Sequence, residues 1–145
     1  NILLKDYFAN GRANTFTAAL KVFNEQEALH EVLGILHRAK ENDELNNNNI
    51  PDMVENYFFE INLVIRELSR VLAPGGRIVM VNDNVRYHGE EIPVDLILSD
   101  FAEKAGLFVE HIWVLPRGKG NSSQQMGIYG RNELRKGVYV WSKPK

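Results

Sequence analysis

The segment covering residues 74–85, Pro-Gly-Gly-Arg-Ile-Val-Met-Val-Asn-Asp-Asn-Val, constrains the fold of this chain more than any other. Its Pro-Gly-Gly turn ends the long amphipathic segment before it, because proline and paired glycines do not continue a helix. Residues 78–81 are then continuously apolar and mostly β-branched, which predicts a strand buried on both faces. In open α/β sheets the carboxyl ends of strands face the ligand crevice. The sequence therefore predicts a site at the polar residues that follow, Asn82, Asp83, Asn84, Arg86 and Tyr87. A loop of ordinary turn-forming residues is the alternative.

Helical periodicity precedes this segment and also follows it. Apolar residues between Val54 and Val71 step by three and four, which predicts a long helix that packs against a sheet and has Pro51 in its first turn. Residues 16–23 and 29–36 form one bent helix or two, with Asn24 and Glu27 as a start resembling a capping box. Residues 41–49 indicate an exposed loop. A further helix over 94–105 is expected to stop at Gly106, and strands at 107–115 and 138–141 to pair as a long antiparallel hairpin.

Composition limits the chain to one small domain, because 145 residues that are 44% hydrophobic bury a single core. The chain has no cysteine, which excludes disulfides and thiolate zinc sites. No apolar run has membrane-spanning length and no segment resembles a signal peptide, so no membrane partner and a cytoplasmic location are expected. The first residue is Asn1 rather than methionine, which favours a processed product, an excised domain or a fragment.

Charge is distributed unevenly. Residues 1–110 carry 10 basic and 18 acidic side chains, whereas residues 111–145 carry 7 basic side chains and the single acid Glu133. Most of these cations lie in or beside a segment rich in Gly, Ser and Gln, where amides and hydroxyls also face phosphates in nucleic-acid complexes. A nucleic-acid contact surface is therefore predicted, with a merely solvated loop as the alternative. The cations are Arg117, Lys119, Arg131, Arg135 and Lys136, and the polar residues between them are Asn121, Ser122, Ser123, Gln124 and Gln125.

Catalytic and metal-binding residues are not indicated by spacing. Asp83 and Asp95 are the candidates for acid–base roles, but no histidine or second carboxylate lies at metal-ligand spacing from either. Glu90 and Glu91 are adjacent and so point in different directions. His30 and His37 share a helix face without a third ligand. We therefore expect no catalytic residue and no metal site in this chain.

Two segments carry a family resemblance: NDNVRYHGEEIPVDLILSDFAEKAG at 82–106 and LPRGKGNSSQQMGIYGRNELRKGVYVW at 115–141. Both resemble bacterial DNA modification methylases that methylate an exocyclic amino group. More broadly, the order of long helix, Arg-Val-Leu-Ala-Pro-Gly-Gly-Arg, strand, helix and hairpin is similar to the C-terminal half of class I S-adenosylmethionine-dependent methyltransferases. The resemblance covers about residues 46–143.

The resemblance implies an α/β fold: a partial Rossmann-like methyltransferase fold with helices on a small mixed sheet that ends in an antiparallel hairpin. Residues 1–145 would form a single domain, the C-terminal part of a catalytic domain. Within it, residues 1–45 are a helical lead-in and residues 46–145 the methyltransferase-like core.

The family's Gly-rich cofactor loop, its ribose-binding carboxylate and its Ser/Asp-Pro-Pro-Tyr motif do not occur in this sequence. The resemblance therefore implies that S-adenosylmethionine is the cofactor of an intact parent, and that this chain alone binds no cofactor and is inactive. The missing N-terminal half is then an expected partner. The open edge left on the strand at 78–81 predicts a homodimer.

The resemblance also gives the polar residues their roles. Asn82, Asp83, Asn84 and Arg86 would line the base pocket or brace the missing motif, although an ion pair of Arg86 with Asp83 or Glu90 is the structural alternative. Residues 121–125 would read base edges or the DNA backbone, and Lys119, Arg131, Arg135 and Lys136 would contact phosphates. The expected function is that of a fragment of a site-specific DNA methyltransferase acting on adenine or cytosine. A noncatalytic nucleic-acid-binding module that uses the basic hairpin loop is the alternative.

Overall fold

A computed structural model describes residues 4–116 and 134–145, which form five helices and five strands. Three helices lead in, and a fourth, longer helix precedes the first strand. The helices are α1 (Leu4–Gly11), α2 (Ala13–Glu25), α3 (Glu27–Glu41), α4 (Ile50–Val71) and α5 (Val94–Lys104). The strands are β1 (Arg77–Asp83), β2 (Val85–Tyr87), β3 (Glu90–Ile92), β4 (Phe108–Val114) and β5 (Lys136–Ser142).

The main sheet has the strand order β1-β5-β4, so the strand formed last in the sequence lies in the middle. β5 is antiparallel to both neighbours, and Tyr139 is paired with Met80 on one side and with Ile112 on the other. β1 and β4 consequently point in the same direction. The predicted antiparallel hairpin of the two late strands is confirmed. β2 and β3 form a separate two-stranded hairpin, for which the sequence analysis predicted no strands.

The prediction that residues 78–81 are buried on both faces is wrong. Ile78 and Met80 pack against the core, but Val79 and Val81 are 64% and 62% exposed. β1 is an edge strand, and the described helices pack on one side of the sheet only. A continuous apolar run therefore forms a strand with one buried and one open face.

The core lies between the sheet and the helices. α5 contacts all three strands of the main sheet, whereas α4 packs mainly against α2, α5 and α3. The expectation that α4 packs against the sheet is thus wrong for most of its length, because α5 lies against the sheet instead. Tyr57 and Val71, two of the regularly spaced apolar residues of α4, are exposed. Trp141 of β5 is fully buried and donates its indole N–H to Ser99 Oγ on α5 at 3.2 Å.

The helix ends follow local chemistry. α2 and α3 are two helices, and the cap between them is Gln26 rather than the predicted Asn24, because the Gln26 side chain accepts hydrogen bonds from the N–H groups of Ala28 and Leu29. Pro51 lies in the first turn of α4 and Gly106, with a φ of 87°, follows α5, as predicted.

Candidate functional site

A cavity of about 300 Å³ opens at the carboxyl end of β1. Its walls come from α4, the β2–β3 hairpin and the first residue of α5, so that three separate elements surround the end of the strand. The lining is mostly apolar, with two tyrosines and two polar residues from the strand end. The lining residues are Met53, Val54, Tyr57, Phe58, Asn82, Asp83, Val85, Tyr87, Ile92 and Val94.

The polar edge of this cavity is fixed by a hydrogen bond between β1 and α4. Asn82 Nδ2 donates to the Tyr57 hydroxyl at 2.9 Å, and Asn82 Oδ1 accepts the backbone N–H of Asp83 at 2.9 Å. The structure therefore brings the predicted residues Asn82 and Asp83 to one cavity. It adds Tyr57, which the sequence analysis assigned only to the apolar stripe of α4.

Tyr87 supplies a second aromatic side chain to the lining. Its side chain is buried, and desolvation, with a smaller contribution from Tyr57, raises the pKa of the Tyr87 phenol above its ordinary value. The phenol is therefore neutral over the physiological range. The cavity presents aromatic and aliphatic surface with an amide and a carboxylate at one edge, a composition typical of small-molecule sites.

Asn84 does not line the cavity and acts instead as a brace. Its side chain is 1% exposed; Oδ1 accepts the backbone N–H of Asp95 at 3.2 Å and Nδ2 donates to Glu91 Oε1 at 3.2 Å. The backbone N–H of Asn84 donates to the carbonyl of Arg135 at 2.8 Å. One residue thus joins the β2–β3 hairpin, the start of α5 and the start of β5.

Arg86 is paired within the β2–β3 hairpin. Its Nη2 lies 3.4 Å from Glu91 Oε2, and Nη1 donates to the Gly89 carbonyl at 3.3 Å. An ion pair was the alternative to a DNA contact, but the predicted partners Asp83 and Glu90 are wrong. Arg86 and Glu91 lie directly opposite each other in the hairpin register, which places Glu91 in reach.

Two of the predicted phosphate contacts form ion pairs with carboxylates of the same chain. Arg135 Nη2 lies 2.6 Å from Asp95 Oδ2, and Lys136 Nζ lies 3.7 Å from Asp83 Oδ1. We call residues 117–136 the basic segment. Most of its predicted contact residues lie outside the described residues: Arg117, Lys119, Asn121, Ser122, Ser123, Gln124, Gln125 and Arg131.

The structure also brings a carboxylate pair to His37. One ligand atom each of His37, Asp52 and Glu55 lies within 4.8 Å of the others, at a surface where α3 meets α4. The sequence did not indicate these neighbours of His37, because Asp52 and Glu55 lie on a different helix. Lys40 Nζ lies 3.8 Å from Asp52 Oδ2 and already balances part of the negative charge. His30, seven residues earlier, bonds instead to the Phe23 carbonyl.

Comparison with known proteins shows which enzymes this chain is similar to. It is 57% identical over 126 residues to the Type II methyltransferases M.AvaI of Nostoc sp. (strain PCC 7120 / SAG 25.82 / UTEX 2576) and of Anabaena variabilis, a match that covers 87% of this chain and 26% of each relative. It is 43% identical over 142 residues to M.BsoBI of Geobacillus stearothermophilus, covering 97% of this chain and 28% of that enzyme. No family model and no solved structure matches.

The chain is thus similar to a segment of Type II methyltransferases. It resembles M.AvaI and M.BsoBI throughout most of its length, and it spans about a quarter of the length of these relatives. The sequence-based resemblance to DNA modification methylases is confirmed. Among the described residues no helix is both long and apolar enough to cross a membrane.

Proposed function

We propose that this chain forms the target-base side of a DNA methyltransferase that transfers a methyl group from S-adenosylmethionine to an exocyclic amino group. The observation that carries the proposal is the cavity at the end of β1, where Tyr57 and Tyr87 line the walls and Asn82 and Asp83 form the polar edge. Enzymes that modify a base inside a duplex flip it into a pocket of this kind. Those pockets stack the base on aromatic or apolar side chains and bind its hydrogen-bonding edge.

The chemistry of the polar edge suits such a base. An asparagine amide offers both a donor and an acceptor, and an ionised aspartate accepts hydrogen bonds from an amino group. Adenine and cytosine each present an amino group beside a ring nitrogen, so both fit the proposal. Because methyl transfer to an amino group depends on positioning more than on a strong base, these side chains would hold the base without themselves reacting.

The described residues do not fit the cofactor. A cofactor loop needs glycines between a strand and a helix N-terminus so that the backbone can approach the ligand. The strand-to-helix connection from β3 to α5 consists of Pro93 alone, and α5 begins at Val94. We therefore assign cofactor binding and the Pro-Pro-Tyr motif to the remaining three quarters of an enzyme like M.AvaI, in the cytoplasm, with this chain as its C-terminal part.

The sheet supports this division of the enzyme. β1 is an edge strand, and β1 and β4 run in the same direction with β5 inserted antiparallel between them. In the proposal, this sheet is the last part of a Rossmann-like sheet that continues beyond β1 into the N-terminal half. Residues 1–45 are then the helical lead-in and residues 46–145 the core. The basic segment, including Lys119 and Arg131, would lie on the DNA.

A chimera tests the proposal. The segment of M.AvaI that matches this chain is replaced by residues 1–145, and methyl transfer is measured on DNA that M.AvaI modifies. We expect an active enzyme in which Asn82→Ala or Asp83→Ala lowers kcat/KM at least about tenfold, the scale of removing one hydrogen bond to the reacting base.

Glu103→Ala, at an exposed position near the C-terminal end of α5, is the matched control and should leave kcat/KM unchanged. A folded chimera that binds DNA but transfers no methyl group would contradict the proposal, as would pocket variants with the activity of the Glu103→Ala control. A chimera that binds DNA without transferring a methyl group is the result expected if this chain is a noncatalytic nucleic-acid-binding module.

A further inference from the structure

His37, Asp52 and Glu55 converge at the surface where α3 meets α4, and the proposed function does not use them. One ligand atom of each lies within 4.8 Å of those of the other two. Asp52 and Glu55 are three residues apart on α4, a spacing that brings two side chains to the same face of a helix. We call these three residues the His37 cluster.

The hydrophobic core holds the backbone of the His37 cluster in place. α3 packs against α4, and the residues that precede His37 and Glu55 in the sequence, Leu36 and Val54, are buried. Packing of the two helices therefore sets the separation of the three Cα atoms. A site on packed helices is precise, and only side-chain rotations remain to be fixed when a ligand binds.

The donor atoms of the His37 cluster are available to a ligand. Within residues 4–116 and 134–145, neither the His37 ring nor the Glu55 carboxylate forms a hydrogen bond or an ion pair. Asp52 Oδ2 lies 3.8 Å from Lys40 Nζ, a long contact between side chains that are 59% and 38% exposed. One ammonium group balances only one of the two carboxylates, so the cluster retains negative charge that attracts a cation.

We propose that the His37 cluster binds a divalent transition-metal cation such as Zn²⁺, with His37, Asp52 and Glu55 as ligands and water in the remaining position. Imidazole nitrogen suits Zn²⁺ and Ni²⁺ rather than Ca²⁺ or Mg²⁺, and carboxylates also bind zinc. Ligand atoms around a tetrahedral zinc ion lie about 3.4 Å apart, given metal–ligand bonds of about 2.1 Å. Rotations of these surface side chains are sufficient to close the remaining gap.

A bound ion would connect the helical lead-in to the wall of the cavity at the end of β1. Asp52 and Glu55 flank Met53 and Val54, which line that cavity, whereas His37 belongs to α3. The metal site itself is independent of the proposed function, because none of its three ligands lines the cavity.

Calorimetric titration of zinc chloride into residues 1–145 tests the site. The chain has no cysteine, so thiolates cannot contribute to zinc binding. We expect saturable binding of one ion per chain at submillimolar zinc. His37→Gln and Glu55→Gln should each weaken binding at least about tenfold, because the first removes the imidazole ligand and the second removes a negative charge. His111→Gln, at an exposed histidine of β4, is the matched control and should leave the Kd unchanged.

Lys40→Gln should have the opposite effect and tighten zinc binding severalfold, because it removes the ammonium group that competes with the metal for Asp52. Thermal unfolding provides a second measurement: saturating zinc should raise the midpoint of the parent chain but not that of His37→Gln, since a ligand that binds only the folded state stabilises it. Without metal, the midpoints of all variants should agree within about 2 °C, because the substitutions lie at the surface.

Two results would overturn the proposal directly: no binding at millimolar zinc, or the same Kd in the parent and in the His37→Gln and Glu55→Gln variants. Calcium binding as tight as zinc binding would also overturn it, because the carboxylates alone would then account for the affinity. None of these measurements depends on methyl transfer, so an inactive chimera would contradict the proposed function and leave the metal site supported.

Discussion

Arg135 Nη2 lies 2.6 Å from Oδ2 of Asp95, a carboxylate whose side chain is 2% exposed. The contact is an ion pair without hydrogen-bond alignment, and the other carboxylate oxygen accepts the backbone N–H of Leu96 at 2.9 Å. The pair joins the residue before β5 to the first turn of α5, where a negative charge is also favoured by the helix dipole. Arg135 therefore fixes the point at which the basic segment enters the sheet, and its charge is already compensated within the fold.

Removing Asp95 is expected to destabilise the chain strongly. Asp95→Ala leaves a guanidinium without its carboxylate and removes a helix-start acceptor, and breaking a buried ion pair costs about 3–5 kcal/mol. Because the Arg135 side chain is 40% exposed, water solvates the guanidinium and reduces this cost. We expect the free energy of unfolding to fall by about 2 kcal/mol. Urea unfolding at one protein concentration measures it. Asp52→Ala, which breaks the exposed pair with Lys40, is the control and should cost less than about 1 kcal/mol.

The salt dependence of DNA binding should separate the basic residues into two groups. The slope in question is that of the logarithm of the DNA-binding constant against the logarithm of the salt concentration. Replacing Lys119 and Arg131 by alanine in the chimera should reduce this slope by about one for each phosphate interaction that the replacement removes. Arg135→Ala should lower affinity without changing the slope, since its charge pairs with Asp95. Titrations at several salt concentrations measure both. A slope that falls equally in all variants would show that Arg135 contacts DNA.

The glutamines of the same segment should affect sequence preference instead. If Gln124 or Gln125 makes a bidentate base contact, its replacement by alanine should cost about 1–3 kcal/mol of discrimination at one base pair. Competition between the preferred site and single-base variants of it measures this. An unchanged preference would restrict these side chains to the DNA backbone or to solvent.

The isolated chain should bind no S-adenosylmethionine, because the cofactor loop and the target-amine motif are not in its sequence. Calorimetric titration of the cofactor into residues 1–145 should give only heats of dilution, whereas the active chimera should bind. A micromolar Kd for the isolated chain would contradict the assignment of cofactor binding to the rest of the enzyme.

At high micromolar concentration the isolated chain should associate through the open edge of β1, which presents unpaired backbone groups. Light scattering should then give twice the monomer mass of 16.6 kDa. A mass of 16.6 kDa over the whole concentration range would show that the edge is protected without a partner.

Tyr139 should make stability fall at alkaline pH. Burial, with smaller contributions from Asp95, Tyr57 and Asp83, raises the pKa of its phenol well above the ordinary value of about 10. Above pH 10 the unfolded chain releases a proton that the folded chain keeps, so the free energy of unfolding falls by up to about 1.4 kcal/mol per pH unit. Below that pH the contribution is constant. Tyr139→Phe should reduce the slope in unfolding series between pH 8 and 11, whereas Tyr7→Phe, at an exposed position, should not.

The sequence predicts the elements with long periodicity and misses contacts set by register. α4, α5 and the β4–β5 hairpin follow from apolar spacing, proline and glycine. The partner of Arg86 does not, because it depends on the two-residue β2–β3 turn that places Glu91, and not Glu90, opposite it. The Asp95–Arg135 pair joins residues 40 positions apart, and no local pattern encodes it. Likewise, an apolar run such as residues 78–81 cannot indicate whether its second face is covered by this chain or by another part of the enzyme.

The central position of β5 has a consequence for biosynthesis. β1 and β4 do not pair with each other in the described sheet; each pairs only with β5, which the ribosome makes after both. During translation the helices can form and associate as they emerge, but both strand ladders must wait for residues 136–142. Until that strand emerges, β4 has no partner in the described sheet and β1 lacks its partner on this side, so apolar strand edges stay open on the nascent chain.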